Sequence, residues 1–248
     1  MKKITAGIII IGNEILSGRT HDKNSNFIAK HLIKSGIQLS EIKIIPDNKK
    51  IIIDTVKDYR KKFNYVFTTG GIGPTHDDIT TESIAKAFKK KVILNKEAYK
   101  ILKNHYSNKR LNTGRKKMAM LPEGCKLILN PLTSAPGFII KNIYVLPGVP
   151  SIMEVMFKSI LIDLKKGKKT VSITLKTDLF ESKIAKKLSN IQKKFPDFDI
   201  GSYPYFNFVK KIGGVNIVIS SWQKDDLSKI IKEIKKMISL LGGKSLIL

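Results

Sequence analysis

Apolar runs alternate with amphipathic segments through the first two thirds of the chain. Residues 4–11 are dominated by apolar side chains, which is typical of a strand buried on both faces of a parallel sheet. Ile52, Val56, Tyr59 and Phe63 follow one another at spacings of four, three and four, which predicts a helix with one buried face. Strands are predicted over 4–11, 39–45 and 65–69, and helices over 24–35, over 52–63 and after residue 80. This βαβαβα order predicts a parallel sheet joined by right-handed crossovers.

The pattern continues with shorter elements and then with a second unit. Asn95 is a predicted cap for a helix over 96–106, and Ser151 and Glu154 have the spacing of a capping box that would open a later helix. Short strands are predicted over 92–94, 126–129, 138–140 and 143–146. The remaining elements are strands over 171–177, 199–203 and 215–221 and helices over 181–195 and 227–241. We therefore predict two domains, 1–165 and 166–248, the second with a βαββα order.

A glycine loop joins the predicted strand over 65–69 to the helix after it. It contains the turn-formers Gly70, Gly71, Gly73 and Pro74. Such a loop lets backbone N–H groups face an anion, and we expect that anion to be a phosphate or pyrophosphate. Asp77 and Asp78 would repel a phosphate unless a divalent metal, a sugar hydroxyl or a proton lies between, so they favour chemistry at the phosphate. The alternative is that Asp78 or Thr80 caps the helix.

Polar groups follow three predicted strands at their carboxyl ends, where α/β sheets bind ligands. They are the loop from Gly12 to Arg19, Asp47, and the glycine loop. The turn at Pro147 and Gly148 follows a further strand and is a fourth candidate wall of the same site.

Composition narrows the class of protein. The 248 residues are 42% hydrophobic, enough for a real core, and contain one cysteine, Cys125, so an internal disulfide is excluded. No apolar run approaches the roughly 18 residues of a membrane span, and the start of the chain leads directly into a strand. We expect a cytoplasmic protein without a membrane partner.

The net charge of +26 would ordinarily indicate nucleic acid as a partner. However, only four of the 46 basic residues are arginine, the residue expected where bases or phosphates are recognised bidentately, and the lysines are scattered over every predicted helix. We interpret the charge as a compositional bias. The one concentrated patch is 108–117, and aromatic residues over 203–208 beside Lys210 and Lys211 leave nucleic-acid stacking as an alternative.

Five motifs in order resemble one known family. They are Gly12-x-Glu14-x-Leu16-x-Gly18, Asp22-x-Asn24, the stretch from Thr69 to Glu82, Ala135-Pro136-Gly137, and the stretch from Leu146 to Pro150. Together they resemble the MoaB/Mog (molybdopterin-binding) domain, in the version found in the competence/damage-inducible protein CinA and its stand-alone relatives. The resemblance covers residues 4 to 165. It implies a three-layer α/β/α fold with a mostly parallel sheet, and residues from 166 onward resemble the accessory α/β sandwich domain that follows it in CinA.

The resemblance also implies a site and its cofactors. Asp47 and Asp78 match aspartates that are central to catalysis in adenylyl-transferring members, and we expect both to hold a divalent metal ion, with a monovalent cation as a further candidate. A small-molecule nucleotide or pterin ligand and a homo-oligomeric assembly are the expected partners. The expected ligand- and phosphate-binding residues are Gly12, Glu14, Asn24, Thr69, Gly70, Gly71, Gly73, Pro74, Thr75, Asp77, Ser134, Pro136, Gly137, Pro147 and Gly148.

The leading functional hypothesis is metal-dependent hydrolysis of the pyrophosphate in a nucleoside diphosphate conjugate such as ADP-ribose or FAD. The alternatives are molybdopterin adenylyl transfer and a non-catalytic nucleotide- or pterin-binding module. The sequence departs from the CinA pattern at Thr133, where Gly is usual, and at Ile152, where Glu is usual. The glycine-rich turn of the accessory domain is reduced to Phe180-Glu181-Ser182.

Overall fold

A computed structural model describes residues 3–106, 111–209, 212–222 and 226–248. Two compact units divide the chain, one over residues 1–167 and the other over 168–248. The beginning of the basic stretch 108–117, and Lys210 and Lys211 of the stacking alternative, lie outside the described residues.

A six-stranded sheet forms the centre of the first unit, which also contains a separate sheet of two antiparallel strands. The strands are β1 (Thr5–Ile11), β2 (Gln38–Ile45), β3 (Tyr65–Thr69), β4 (Val92–Leu94), β5 (Met120–Pro122), β6 (Lys126–Ile128), β7 (Gly137–Ile140) and β8 (Ile143–Leu146). The sheet has the order β2-β1-β3-β8-β7-β6, and β4 pairs with β5. The first four of these six strands run parallel, and β7 and β6 are antiparallel to their neighbours.

Helices cover both faces of this sheet, which confirms the predicted three-layer arrangement. They are α1 (Asn13–Leu16), α2 (Asn24–Lys34), α3 (Lys49–Lys62), α4 (Thr80–Ala87), α5 (Lys96–His105), α6 (Thr113–Lys117) and α7 (Pro150–Leu161). Alternate residues of β1 enter opposite cores, because successive strand side chains point to opposite faces. Ile9 and Ile11 pack in the core that includes Val56, whereas Ile8 and Ile10 pack in the core that includes Phe157.

The ends of several helices differ from the sequence interpretation. Asn95 caps α5 as predicted, its Oδ1 accepting the Ala98 N–H at 2.9 Å. The capping box at Ser151 is wrong, because α7 begins at Pro150 and has no side-chain cap. Proline suits the first helical position, since its fixed φ is already helical and it has no N–H to satisfy. The short helices α1 and α6 lie where the sequence predicts loops.

The second unit has a four-stranded antiparallel sheet of its own. Its elements are β9 (Val171–Thr177), α8 (Glu181–Lys194), β10 (Asp199–Asn207), β11 (Ile212–Ser221), α9 (Ser228–Leu240) and β12 (Ser245–Ile247), and the strand order is β10-β11-β9-β12. The sequence interpretation missed β12, which pairs with β9. Both helices contribute to the core, α8 through Ile184 and α9 through Ile234. Among the described residues, no helix is long and apolar enough to cross a membrane.

Candidate functional site

The carboxyl ends of β1, β2, β3 and β8 meet at one edge of the sheet, and we call the residues at these ends the strand-end site. Two backbone bonds join them. The Gly12 N–H donates to the Ile45 carbonyl oxygen at 3.1 Å, and the Gly70 N–H donates to the Leu146 carbonyl oxygen at 3.2 Å. Ile10 of β1 also pairs with Thr69 of β3, so the four strand ends form one bonded edge.

Two glycines allow the backbone of the glycine loop to approach its neighbours closely. Gly70 has a φ of 101° and Gly71 a φ of 68°, both in the left-handed region that favours glycine. A Cβ atom on Gly70 would lie 2.1 Å from the carbonyl oxygen of Ile11, and one on Gly71 would lie 2.2 Å from Oγ1 of Thr80. Both contacts are impossible for a larger residue without movement, so this part of the loop requires glycine.

The backbone donors of the glycine loop are only partly used by the protein. The N–H of Gly70 donates to Leu146, and that of Thr75 donates to Oδ2 of Asp78 at 2.8 Å. The N–H groups of Gly71 and Gly73 donate to no acceptor within the described residues. Donors for an anion are therefore present at Gly71 and Gly73.

Asp78 folds back onto its own loop and does not cap the helix after it. Its Oδ2 accepts from both the N–H and the hydroxyl of Thr75, and its own N–H donates to the Thr75 carbonyl oxygen at 3.3 Å. Helix α4 begins at Thr80 without a side-chain cap, so the capping alternative is wrong for both residues. The ammonium of Lys117 donates to the Thr75 carbonyl oxygen and holds the loop from the other side.

The neighbouring carboxyl group, Asp77, is exposed. The polar Thr75 side chain, followed by smaller contributions from the backbone N–H of Asp77, His76 and Lys117, lowers the pKa of Asp77 below its ordinary value. Asp77 therefore carries its negative charge throughout the neutral range.

Asp47 is held at the end of β2. Its Oδ2 accepts the N–H of Asn13, at the start of α1, at 2.9 Å. Strand β1 lies between β2 and β3 in the sheet, so the strand ends that precede Asp47 and Asp78 are roughly 10 Å apart. Asp47 and Asp78 thus follow β2 and β3, which are separated in the sheet by β1.

Three buried side-chain oxygens at the strand-end site have no hydrogen-bond partner among the described residues. They are Oδ1 of Asn24, Oγ1 of Thr69 and Oγ1 of Thr80, on residues no more than 6% exposed. The amide nitrogen of Asn24 donates to the Gly148 carbonyl oxygen at 2.8 Å, which ties the start of α2 to the turn after β8. A buried polar group without a partner costs about 1–3 kcal/mol, so these oxygens are suited to water or to a bound polar ligand.

The loop before β7 reaches the same edge, because β7 is antiparallel to β8 and begins where β8 ends. Asn130 organises this loop, and the sequence interpretation missed it. Its Oδ1 accepts the N–H groups of Leu132 and Thr133, and its amide nitrogen donates to the Ala135 carbonyl oxygen at 3.0 Å. Ser134 has a φ of 60°, an uncommon conformation for a residue other than glycine.

The expected site residues therefore fall into two groups. Direct contacts join Gly148 to Asn24 and to Gly70, Gly12 to the end of β2, Asp47 to the start of α1, and Thr75 to Asp78. Ser134, Pro136, Gly137 and Pro147 are placed at the same edge by the ends of β7 and β8. The Glu14 carboxylate folds towards Gly12, where it would meet an added Cβ atom at 2.5 Å.

The donor set limits the kind of metal that this site suits. Within the described residues, no group of three or more His, Cys, Asp and Glu side chains is placed to hold a metal ion. A magnesium-type ion, by contrast, needs only one or two carboxylates, with substrate phosphates and water filling its other positions. The carboxylates of this kind at the strand-end site are Asp47 and Asp78, and one oxygen atom of each accepts a hydrogen bond from the protein.

The fold and site define a class of α/β proteins with a glycine loop at the strand ends. Residues 7–166 match a family model described as "Probable molybdopterin binding domain", and residues 169–241 match one described as "FAD synthase, middle domain". The chain belongs to the molybdopterin-binding (MoaB/Mog-like) domain family, which confirms the resemblance that its motifs indicate.

Individual relatives agree with this family. A protein of Archaeoglobus fulgidus is 37% identical over 94% of this chain and 97% of its own length. A CinA-like protein of Thermosipho melanesiensis is 32% identical over 94% of this chain, which spans only 58% of that relative's length. The crystal structure of the protein CinA from Thermoplasma acidophilum is 33% identical, covers 65% of this chain and 98% of its own, and has a TM-score of 0.62.

Proposed function

We propose that the strand-end site binds a nucleotide conjugate bridged by a diphosphate, such as ADP-ribose or FAD, and hydrolyses its pyrophosphate bond with a divalent metal ion. The observation that supports this most directly is the glycine loop, where unused N–H groups at Gly71 and Gly73 lie in the same loop as the Asp78 carboxylate. Anion donors beside a carboxylate suit a reaction at phosphorus more than simple phosphate storage.

The unpartnered oxygens support the same class of ligand. The Asn24 Oδ1 would accept a hydrogen bond from a sugar hydroxyl, and the hydroxyls of Thr69 and Thr80 would donate to a phosphate oxygen. The match of the second unit to a FAD synthase domain adds support, since FAD is itself a diphosphate-bridged conjugate of two nucleotide-like halves.

The proposed reaction assigns separate roles to the loop and the carboxylates. The N–H groups of Gly71 and Gly73 hold the diphosphate, and Asp47 and Asp78 would hold the metal ion, which supplies charge neutralisation for the leaving phosphate when bound. Water attacks one phosphorus atom and the bridging P–O bond breaks, its electron pair leaving with the second phosphate. The Asp78 carboxylate accepts the proton of the attacking water, and the Thr75 hydrogen bonds hold that carboxylate in place.

The test is a substrate-panel hydrolysis assay with ADP-ribose and FAD, with and without a chelator. We expect Asp78→Asn to reduce turnover by about 10²-fold or more, the ordinary contribution of a general base. Asp54→Asn is the matched control, because Asp54 is an exposed carboxylate on α3 outside the strand-end site. Full turnover by the Asp78 variant, or wild-type turnover in excess chelator, would refute the proposed roles.

A second candidate is adenylyl transfer to a pterin, which the molybdopterin-binding description of the family favours. Incubation with ATP and molybdopterin, compared with ADP-ribose and metal, distinguishes the two reactions by their products. A third candidate is a binding module without catalysis, which Ile152 and the reduced turn at Phe180-Glu181-Ser182 favour. Ligand binding without turnover under every metal tested would support that candidate.

A further inference from the structure

A large cavity in the first unit lies beside the glycine loop, which contributes Pro74 to its lining. Its volume is about 950 Å³, and helices α4 and α6 and strands β4 and β5 contribute to its walls. Six of the thirteen described residues that line it are lysines, although the whole chain has only 46 basic residues among 248. These lysines are Lys49, Lys86, Lys89, Lys90, Lys116 and Lys117. We call this the lysine cavity.

The charge of the lysine cavity is poorly balanced by the protein. Among the described residues, Glu82 is the one acidic residue in its lining, and the Lys49 ammonium lies 3.4 Å from the Glu82 carboxylate. The other lysines therefore leave a strong positive field in a concave space, which concentrates anions. The lysines are consequently not scattered evenly over the surface in this region.

An apolar wall accompanies the lysines. Ala85, Val92 and Met120 line the cavity, and Pro74 lines it where it meets the glycine loop. Ligand sites commonly combine apolar surface with a few polar groups that fix orientation. This combination suits the ring system of a nucleoside together with negatively charged groups attached to it.

Lys89 occupies a backbone position that normally favours glycine. Helix α4 ends just before it, and the Lys90 N–H donates back to the Ala85 carbonyl oxygen at 2.9 Å, as in a glycine-terminated helix. The φ of Lys89 is 53°, in the left-handed region. Residues held in such conformations cluster at functional sites, so a lysine here is better explained by its ammonium group than by its backbone.

Lys117 connects the lysine cavity to the strand-end site. Its ammonium donates to the Thr75 carbonyl oxygen, and the Thr75 N–H and hydroxyl bond to Asp78. The lysine cavity therefore adjoins the glycine loop on which the proposed diphosphate lies.

We propose that the lysine cavity binds an additional phosphate monoester on one nucleoside arm of the substrate. The proposal rests on the proposed function, because the glycine loop already accounts for the bridging diphosphate. It makes the preferred substrate class a phosphorylated dinucleotide-type conjugate, for example ADP-ribose with a 2′-phosphate, in preference to plain ADP-ribose. Lysine suits this role, since it binds phosphate as a point charge without demanding one orientation.

The test measures binding of ADP-ribose and of 2′-phospho-ADP-ribose by calorimetry in the presence of a chelator, so that binding is recorded without hydrolysis. We expect the wild-type protein to bind the phosphorylated ligand at least about tenfold more tightly at low salt. The double variant Lys86→Gln/Lys90→Gln should lose this preference. Lys30→Gln/Lys34→Gln is the control, with the same change in charge on α2, whose residues do not line the cavity.

Lys89→Gly separates a functional lysine from a compositional one. Glycine relieves the left-handed backbone, so we expect a melting temperature that is unchanged or higher, together with weaker binding of the phosphorylated ligand. Equal affinity of the wild type for the two ligands, or a preference that survives the double variant, would overturn the proposal. A preference that depends on these lysines, in a protein that hydrolyses neither ligand with any metal, would instead support the subsite and count against the proposed hydrolysis.

Discussion

Gly70→Ala is the substitution that most directly tests how rigidly the strand-end site is built. The new methyl group would lie 2.1 Å from the carbonyl oxygen of Ile11 and 3.2 Å from its carbonyl carbon. Both are backbone atoms in the last residue of β1, so no side-chain rotation can remove the clash. Either the glycine loop or the end of β1 must move.

The expected loss of stability has two parts. A left-handed backbone costs a residue other than glycine about 1–2 kcal/mol, and overpacking of a fixed site adds about 1–3 kcal/mol. Alanine also restricts the unfolded chain more than glycine does, and this offsets about 0.4–1 kcal/mol of the loss in the free energy of unfolding. We therefore expect Gly70→Ala to lower the free energy of unfolding by roughly 1–4.5 kcal/mol.

Urea unfolding at equilibrium measures this loss, and Gly18→Ala provides the control. Gly18 has a φ of 71°, but nothing lies within 4 Å of an added Cβ atom. The control therefore carries the backbone penalty without the clash, and we expect it to lower the free energy of unfolding by no more than about 1.5 kcal/mol. If the two variants were equally stable, the close approach of Gly70 to β1 would not constrain the site.

Three further substitutions test other contacts. Thr80→Val removes a buried hydroxyl that has no hydrogen-bond partner among the described residues. We therefore expect the free energy of unfolding in urea to stay the same or to rise by about 1 kcal/mol. A clearly lower free energy of unfolding would contradict this. Asn130→Ala removes several buried hydrogen bonds and should lower the free energy of unfolding in urea by roughly 2–4 kcal/mol. We also expect faster proteolysis of the 130–137 loop. An unchanged cleavage rate would count against the organising role of Asn130. Tyr59→Phe tests a buried phenol. Burial, and then a 2.8 Å hydrogen bond to Glu41, raise the pKa of Tyr59 in the folded protein. Above pH about 10 the tyrosine therefore ionises in the unfolded chain first, and the free energy of unfolding falls by up to about 1.4 kcal/mol per pH unit. Tyr59→Phe should lose that part of the decline when unfolding is compared at pH 9, 10 and 11, and an identical decline in both proteins would refute the assignment.

The sheet of the first unit could be predicted because its strands carry strong local patterns. The apolar run of β1 fills both cores, and the spacing over 52–63 places Val56 and Tyr59 on the buried face of α3. The small helix α1 could not be found in this way. It has only four residues, too few to form on propensity alone, and the Asn13 N–H at its start is held by Asp47, which is 34 positions away in the chain.

The candidate site was predictable where its residues follow strands and not where they are assembled from distant segments. The glycine loop, Asp47 and the turn at Gly148 follow directly from the rule that ligands bind beyond strand ends. The lysine cavity combines residue 49, residues 86–90 and residues 116–117, so no single stretch of sequence reveals it. The high lysine content of the whole chain hides the concentration further. Asn130 was missed because its role depends on the folded path of its own loop.

The bond between Asn24 and Gly148 has a consequence for how the protein folds as it is synthesised. It joins positions 124 residues apart, and β3 reaches its neighbour β8 only across the whole of the intervening segment. Pairings between such distant segments form slowly, because a long loop must close before any contact rewards it. Strands β1, β2 and β3 are therefore synthesised well before β8, and one edge of β3 remains unpaired until β8 has been made.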